Sequence, residues 1–360
     1  MTRPSMKKQL LPAALIAVAV GGSATAFAWT AGVIGPRRVS GGTIANALEY
    51  NLGGAKTGYR RAHAKGICFA GDFRANGAGA ALAGASVLKR GDTPVIGRFS
   101  LGGGNPLATD GRTVFHAMAL LLRTPDRQEW RMALDDTPIF PVATPEDFVA
   151  LQYASRPDPK TGKPDPKLMG AFIKQHPETK AFQDYLAKAV LPDSFGNAPY
   201  YSINAFRFTD PSGTTRLVRW QFVPETPLHG LDKDTLANLP RDYLVDAFIA
   251  RTRHTPSRWH LQLIVANPGD VTDRATVAWS GPHRTIDAGV LTIDRAQTEE
   301  QGVCRDLNFD PTILPPGIAI SDDPLLPARS KAYATSFTRR AGEGPGPSAA
   351  GHDFARQGAR

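Results

Sequence analysis

Short apolar segments separated by turn residues constrain the fold of this 360-residue chain more than any other feature. The chain contains 35 glycines and 30 prolines, which favour turns between such segments. Residues 124–126 read Thr-Pro-Asp and residues 210–213 read Asp-Pro-Ser-Gly, and both sequences are typical of hairpin turns. Strands joined by hairpins predict an antiparallel barrel or sandwich. The eight predicted strands are Arg60–Phe69, Val95–Leu101, Val114–Leu122, Gln128–Leu134, Ile203–Phe208, Thr215–Phe222, Trp259–Ala266 and His283–Thr292.

Helical patterns lie between these strands and beyond them. The clearest is at 240–251, where Leu244, Val245, Phe248 and Ile249 form one apolar stripe and Pro240 suits a helix start. The sequence therefore predicts helices inserted into a β framework. They are expected at 36–60, Glu146–Tyr153, Pro166–Val190 with an interruption near Pro177, Pro240–Arg251 and Pro324–Arg340.

The N-terminal segment is typical of an exported protein. Lys7 and Lys8 precede an apolar stretch from Leu10 to Val20, and Ala26–Ala28 reads as an A-x-A cleavage signature. Weaker apolar character continues to Ile34, so a single uncleaved membrane anchor is the alternative. We expect an exported, periplasmic protein, either soluble or anchored by this segment. The predicted parts are a signal peptide or anchor at 1–34, a folded domain at 35–342 and a disordered tail at 343–360.

The charge and the cysteine content limit the possible partners and the possible redox state of the chain. The formal net charge is +9, but the basic residues are scattered without a run of five or six, so we expect no nucleic-acid partner. Some of the buried cations are instead expected to neutralise an anionic ligand. Cys68 and Cys304 lie far apart in the sequence. Export would permit a disulfide between them, but we expect two buried free thiols.

Three segments carry the residues that could perform chemistry. The sequence has no phosphate-binding G-x-x-x-x-G-K-[ST] loop, no Cys/His cluster with zinc-like spacing and no G-x-S-x-G nucleophile motif. What remains is a set of motifs in a fixed order. They are Arg60-Arg61-Ala62-His63-Ala64-Lys65-Gly66; then Arg98-Phe99-Ser100 with the later Asp135-Asp136-Thr137-Pro138-Ile139-Phe140; and finally Pro315-Pro316-Gly317-Ile318, Asp322-Asp323-Pro324 and Arg329-Ser330-Lys331-Ala332-Tyr333.

This combination resembles the catalases over roughly residues 58–340. With no large domain after the tyrosine motif, the chain is similar to the smaller catalase-related peroxidases. The resemblance implies an α+β fold, a catalase-type eight-stranded antiparallel β-barrel with surrounding helices, over the domain 35–342. It also implies haem b, with its iron, between the barrel interior and the last helix. The expected partners are a peroxide and a small reductant; membrane contact is limited to the N-terminal anchor alternative, and a homo-oligomer is left open.

The resemblance implies that Tyr333 is the iron ligand. A tyrosinate is a hard anionic ligand of haem iron. Arg329 lies four residues earlier, on the same helix face, and its guanidinium would favour the phenolate. On the distal side, the resemblance assigns an acid–base role to His63, an orienting role to Ser100 and a place in the site to Asp135. It also implies contacts with the haem group: with the propionates for Arg60, Arg98 and Arg340, and beside the haem plane for Phe148.

Two positions depart from the catalase pattern. Asp135 and Asp136 stand where catalases carry asparagines in N-N-T-P. An ionised carboxylate only accepts hydrogen bonds, so Asp135 must carry a proton if it faces the iron. We therefore expect peroxidase turnover with an organic electron donor, and weak catalase activity at most. His116 stands where relatives often carry arginine, and the sequence alone assigns it no function.

Two other readings of the same residues remain. A haem isomerase or dehydratase acting on fatty-acid hydroperoxides would reuse the site without an external reductant. A non-enzymatic haem-binding or lipid-binding barrel would leave His63 with a structural role only.

Overall fold

The computed structural model describes residues 6–30, 39–300 and 302–350. The chain forms two compact units, Met1–Ser40 and Gly41–Arg360. In the first unit, helix α1 covers Met6–Thr30. None of the helices in the described ranges has both the length and the apolar character needed to cross a bilayer. The predicted leader or anchor at 1–34 therefore falls partly on α1 and partly outside the described residues.

The second unit contains ten strands and seven further helices among its described residues. The strands are β1 (Gly66–Ala75), β2 (Gly91–Leu101), β3 (His116–Arg123), β4 (Glu129–Asp135), β5 (Tyr200–Tyr201), β6 (Phe206–Thr209), β7 (Thr215–Pro224), β8 (Ser257–Val265), β9 (Thr285–Gln297) and β10 (Ile318–Ile320). The helices are α2 (Gly41–Asn51), α3 (Pro145–Ala154), α4 (Pro166–Gln175), α5 (Glu178–Lys188), α6 (Lys233–Asn238), α7 (Tyr243–Thr252) and α8 (Leu325–Glu343).

Eight of the strands close into an antiparallel barrel. The order is β1, β2, β3, β4, β5, β7, β8, β9 and back to β1. β6 pairs with the first residues of β7, along the same edge of β7 that β5 uses further on, and β10 pairs with β6. The predicted architecture, an eight-stranded antiparallel barrel with surrounding helices, is confirmed.

Alternating side chains fill the barrel interior. In β1, Ile67, Phe69 and Phe73 are buried in the main core, while Asp72 and Arg74 are exposed. Aromatic rings from other elements fill the middle of the barrel. Each fully buried aromatic or large aliphatic side chain contributes roughly 1.5–3 kcal/mol through the hydrophobic effect. The rings that surround Phe99 are Phe69, Phe195, Tyr200, Phe248 and Trp259, with centroids 4.6–6.1 Å from it.

The outer face of the first strands is also buried. Cys68 on β1 is opposite Arg98 on β2, and both side chains point away from the interior core. Cys68 forms a disulfide with Cys304, at a Cα–Cα distance of 5.4 Å. The expectation of two free thiols is therefore wrong. The sequence separation of 236 residues concealed the contact, which exists because the chain returns to cover the outer face of β1.

Several element boundaries differ from the predictions. The first strand begins at Gly66 rather than Arg60, because residues 60–65 form an irregular segment in which His63 has a φ of 54°. Helix α7 begins at Tyr243, so Pro240 precedes the helix. Of the predicted tail, residues 343–350 are described, and Ala349 and Ala350 among them are buried; residues 351–360 lie outside the described part.

Candidate active site

A cavity of about 350 Å³ lies against the outer face of the barrel and contains every site residue predicted from the sequence. Strands β2 to β4 provide one wall, and helices α2, α3 and α8 provide much of the rest. The predicted residues that line it are Arg60, His63, Arg98, Ser100, Asp135, Phe148, Arg329, Tyr333 and Arg340.

The resemblance implies a haem between the barrel interior and the last helix, whereas the cavity lies on the outer face of the barrel. Arg98, Ser100 and Asp135 occupy alternate strand positions whose inward neighbours, such as Phe99 and Leu134, belong to the interior core. The interior has no room for a large ligand because aromatic side chains occupy it. A ligand in this cavity would lie between the outer face of the barrel and α8.

Tyr333 and Arg329 lie on one face of α8 and are directed into the cavity. Arg329 Nη2 donates to the Tyr333 hydroxyl at 3.3 Å and to the Ala133 carbonyl at 2.9 Å. Burial opposes the positive charge of Arg329, but Tyr333 and Asp135 outweigh it and raise the pKa of Arg329. The guanidinium is thus charged next to the phenol oxygen.

A buried chain of polar groups fixes Arg329. Its Nη1 donates to Asn204 Oδ1 at 2.6 Å, and Asn204 Nδ2 donates to Asp323 Oδ2 at 2.8 Å. Asp323 also accepts from the Leu325 amide at the start of α8, at 2.9 Å. Asn204 is fully buried and was not predicted from the sequence, because an isolated asparagine after a strand carries no distinctive signal.

His63 approaches the cavity from the irregular segment before β1. Its Nδ1 is 3.3 Å from Ser100 Oγ, and its ring lies 5.8 Å from that of Phe115. Burial in the protein, together with Arg98 and Arg329, lowers the pKa of His63 to about 3. The imidazole is therefore neutral across the physiological pH range.

Asp135 ends β4 with its side chain towards the cavity. It is 6% exposed, and none of the described residues forms a hydrogen bond or ion pair with its carboxyl group. Burial raises the pKa of Asp135 to about 7; Arg329 opposes this shift and Asp136 reinforces it. At neutral pH a substantial fraction of Asp135 carries a proton and can donate a hydrogen bond.

Three arginines converge at one end of the cavity around a single buried carboxylate. Glu299 accepts from Arg60 Nη1 at 2.9 Å and from Arg98 Nε at 2.8 Å. Arg340 is 5% exposed, and its Nε is buried without a hydrogen-bond partner among the described residues. Burial and the charges of Arg98 and Arg340 lower the pKa of Arg60, which Glu299 only partly offsets. The cluster thus has an excess of positive charge.

Not every residue of the sequence motifs reaches the cavity. Lys65 is fully buried in a separate ion cluster, where its Nζ lies 2.6 Å from Asp110 and 2.7 Å from Asp242. Arg61 borders the cavity, but its guanidinium is held by Glu49 and Glu343. These two cations stabilise the fold around the site.

Apolar side chains form most of the cavity wall. Phe140 and Phe148 stack with ring centroids 5.9 Å apart, beside the N-terminal turns of α3. The other aromatic residues of the wall are Phe115, Phe182, Phe309 and Phe337. Such a wall suits a large flat apolar ligand whose polar groups are confined to one end.

The residues present fit a haem group. A tyrosine oxygen next to a guanidinium is a suitable iron ligand. Two propionates would neutralise the excess charge of the arginine cluster and could satisfy the unpartnered Arg340 Nε. The apolar walls would contact the porphyrin faces.

Comparisons with known proteins agree with this geometry. The catalase family model matches residues 54–344. A catalase-related peroxidase of Synechococcus elongatus is 37% identical over 297 residues, which are 82% of this chain and 87% of that protein. A catalase-related peroxidase of Mycolicibacterium paratuberculosis is 31% identical over 291 residues, 81% of this chain and 91% of the relative.

Solved catalase structures share the fold. A fungal catalase superposes with a TM-score of 0.72 at 18% identity, covering 86% of this chain and 64% of that one. A bacterial catalase gives a TM-score of 0.68 at 20% identity, covering 85% of this chain and 62% of that one. The chain thus spans less than two-thirds of the length of these two solved catalases. From its sequence motifs, its barrel and these matches, the chain belongs to the catalase family of haem enzymes that act on peroxide.

Proposed function

We propose that the protein is a haem-b peroxidase that reduces hydrogen peroxide or an organic hydroperoxide with a small electron donor. One observation carries the proposal: a single cavity has a tyrosine–arginine pair on α8 and a neutral histidine on the side of the barrel. Bound haem iron supplies the redox chemistry that cleaves the O–O bond. The steps below concern only what the residues of this chain do.

Tyr333 and the arginine cluster would hold the cofactor. Arg329 donates to the Tyr333 oxygen at 3.3 Å and so orients this oxygen, and a tyrosine oxygen is a known ligand of haem iron. Arg60, Arg98 and Arg340 would receive the two propionates at the end of the cavity where positive charge is in excess. Phe148 would contact the porphyrin plane.

His63 would act as the acid–base residue towards peroxide. A neutral imidazole can take the proton from one peroxide oxygen and return it to the departing one. Its low pKa keeps the ring available as a base, and Ser100 fixes the ring orientation through Nδ1. A protonated Asp135 would donate a hydrogen bond to the peroxide, as an amide would, but only below about pH 7. This dependence favours peroxidase turnover over rapid dismutation.

Guaiacol-type dye oxidation by the haem-loaded protein tests the proposal. Replacing His63 by glutamine should lower the rate about 10²- to 10⁴-fold, because the proton transfer loses its base. His229→Gln is the matched control, because His229 is exposed and lies outside the cavity. Tyr333→Phe should change the Soret spectrum, because the iron loses its anionic ligand.

Three outcomes would contradict the proposal. A protein that takes up no haem, or whose spectrum is the same with Tyr333→Phe, has no tyrosinate-ligated haem. Rearrangement of a fatty-acid hydroperoxide without any reductant, in place of dye oxidation, would identify an isomerase or dehydratase instead.

We also propose that the chain is exported to the periplasm by its N-terminal segment. The charged start and the A-x-A signature support export, and so does the disulfide, because disulfides persist in oxidising compartments.

A further inference from the structure

His116 and Asp136 form a buried pair directly behind the cavity. The His116 amide donates to Asp136 Oδ1 at 3.0 Å, and His116 Nδ1 lies 2.7 Å from Asp136 Oδ2. The Asp136 amide in turn donates to the His116 carbonyl at 2.9 Å. His116 is fully buried, and the Asp136 side chain is 12% exposed. Three contacts between two residues therefore fix the end of β4 against the start of β3.

The pair determines where the neighbouring carboxyl group points. Asp135 is opposite Ala117 in the β3–β4 register, and its side chain faces the cavity. Asp136 follows directly, with its carboxylate turned to His116. The Asp136 carboxyl group thus has a hydrogen-bond partner, His116, whereas the Asp135 carboxyl group has none among the described residues.

We propose that the His116–Asp136 pair is a positioning element for Asp135. The pair holds a second carboxylate beside Asp135, so that Asp135 carries a proton towards the substrate. The role of this proton in peroxide binding rests on the proposed peroxidase function, whereas the protonation of Asp135 itself does not. The charge of a neighbouring carboxylate disfavours ionisation of a buried carboxyl group. The His116 amide donates to Asp136 and His116 Nδ1 lies 2.7 Å from the same carboxyl group, so His116 holds that group next to Asp135 in the chain.

The other charged and titratable groups around Asp135 do not provide the same effect. Arg329 on α8 favours the ionised form of Asp135 and acts in the opposite direction. Tyr201 pairs with Asp135 across β4–β5, and burial, with Tyr185 and Asp136, raises the pKa of Tyr201 to about 12, so it stays neutral. His63 is also neutral. Burial and Asp136 are thus the two features that favour a protonated Asp135.

The inference accounts for two departures from the catalase motif together. Asparagine beside asparagine needs no charge partner, whereas aspartate beside aspartate needs a donor for one of them. Since an ionised carboxylate only accepts, the tautomer of His116 with its proton on Nδ1 is the one that provides that donor. The pair would therefore set the alkaline limit of peroxide binding.

Carbon-detected NMR of the Asp135 carboxyl group in the haem-free protein tests this proposal. The wild-type midpoint is expected near pH 7, assigned by its loss in Asp135→Asn. Asp136→Asn should lower that midpoint by about one unit, because the repulsion is removed while burial remains. Asp136→Glu keeps the carboxylate at position 136 and should leave the Asp135 midpoint near the wild-type value. Asp136→Ser is a second neutral replacement if the asparagine variant does not fold.

Asp287→Asn is the matched control, because Asp287 also binds a histidine, His260, at 2.6 Å but on the exposed surface. It should not change the Asp135 midpoint. An unchanged midpoint in the neutral Asp136 variants would overturn the proposal, and so would an equal fall in Asp136→Glu. The titration uses haem-free protein, so its result stands apart from any failure of the dye-oxidation test. In the haem-loaded enzyme, the alkaline limb of the pH–rate profile should move to lower pH in the neutral variants Asp136→Asn and Asp136→Ser.

Discussion

His63 combines two features that are uncommon for a histidine. Its backbone is in the left-handed region, with a φ of 54°, where non-glycine residues pay a conformational cost. Its half-buried ring lies near three arginines, Arg98, Arg329 and Arg60, all of which disfavour protonation. Both features reduce stability, and both serve to present a neutral imidazole to the cavity.

The low pKa of His63 predicts a specific acid sensitivity of the haem-free protein. The group titrates near 6.5 when unfolded and near 3 when folded, so below pH 6.5 the unfolded state binds more protons. The stability of the wild type, relative to His63→Gln, should therefore fall by up to about 1.4 kcal/mol per pH unit between pH 6.5 and 4. Urea unfolding of both proteins at several pH values measures this. A difference that is constant with pH would show that His63 titrates normally in the fold.

The predicted residues that line the cavity rest mainly on the resemblance of the sequence motifs to the catalases, and only those on α8 are related by spacing. The four-residue spacing of Arg329 and Tyr333 places both on one face of α8. Glu299 and Asn204 could not be predicted, since each contacts the site only after distant segments meet. Glu299 comes from the segment after β9, and no local pattern distinguishes its carboxylate from an exposed one.

Residues 299–300 and 302–309 lie between the disulfide and the arginine cluster and contact both. Arg60 donates through Nη2 to the carbonyls of Cys304, Arg305 and Leu307, at 3.0–3.2 Å. The same segment provides Glu299 and the cavity residue Phe309. The Cys68–Cys304 bond ties it to β1. This segment therefore positions the groups that would receive the propionates.

Breaking the disulfide should weaken both the fold and the site. A Cys68→Ala, Cys304→Ala double variant should lose about 2–5 kcal/mol of unfolding free energy, because a long loop is no longer closed. Haem titration followed by absorbance should show weaker binding, because the three carbonyls that hold Arg60 become mobile. The wild type treated with reductant should reproduce both effects, and the double variant should not respond to reductant. Equal haem affinity in all samples would show that the segment holds its position without the bond.

Among the secondary-structure elements, the number of barrel strands could be predicted from the sequence, but the barrel strand β5 could not. The predicted strand Ile203–Phe208 corresponds to β6, which follows β5 along the same edge of β7 but does not pair with β4. The barrel closes instead through β5, two residues long, which pairs with β4 and β7. A two-residue strand has no periodicity to detect, and only the geometry of closure requires it.

For the whole molecule, the same sheet serves two cores. The interior face packs aromatic rings with no space for a ligand, and the outer face of β2 to β4 forms the cavity wall under α8. β3 is buried on both faces over most of its length and is a nearly continuous apolar run, so its sequence does not show which face lines the cavity. The residues that the family resemblance indicates line one cavity, but this cavity lies on the outer face of the barrel and not on its interior side.

Export can be tested through the chemistry of the folded protein. Cys68 and Cys304 are buried, so the disulfide forms only where folding takes place in an oxidising compartment. In a bacterial host the full chain should be recovered from the periplasm with no free thiols and with a mature N-terminus just after Ala28. Replacing Lys7 and Lys8 by glutamate should retain the protein in the cytoplasm with two free thiols, as should a chain that begins at residue 35. Mass spectrometry after thiol alkylation of intact cells distinguishes these states. An unprocessed chain with free thiols in the wild type would refute export, and the stabilisation by the disulfide would then be lost in the cell.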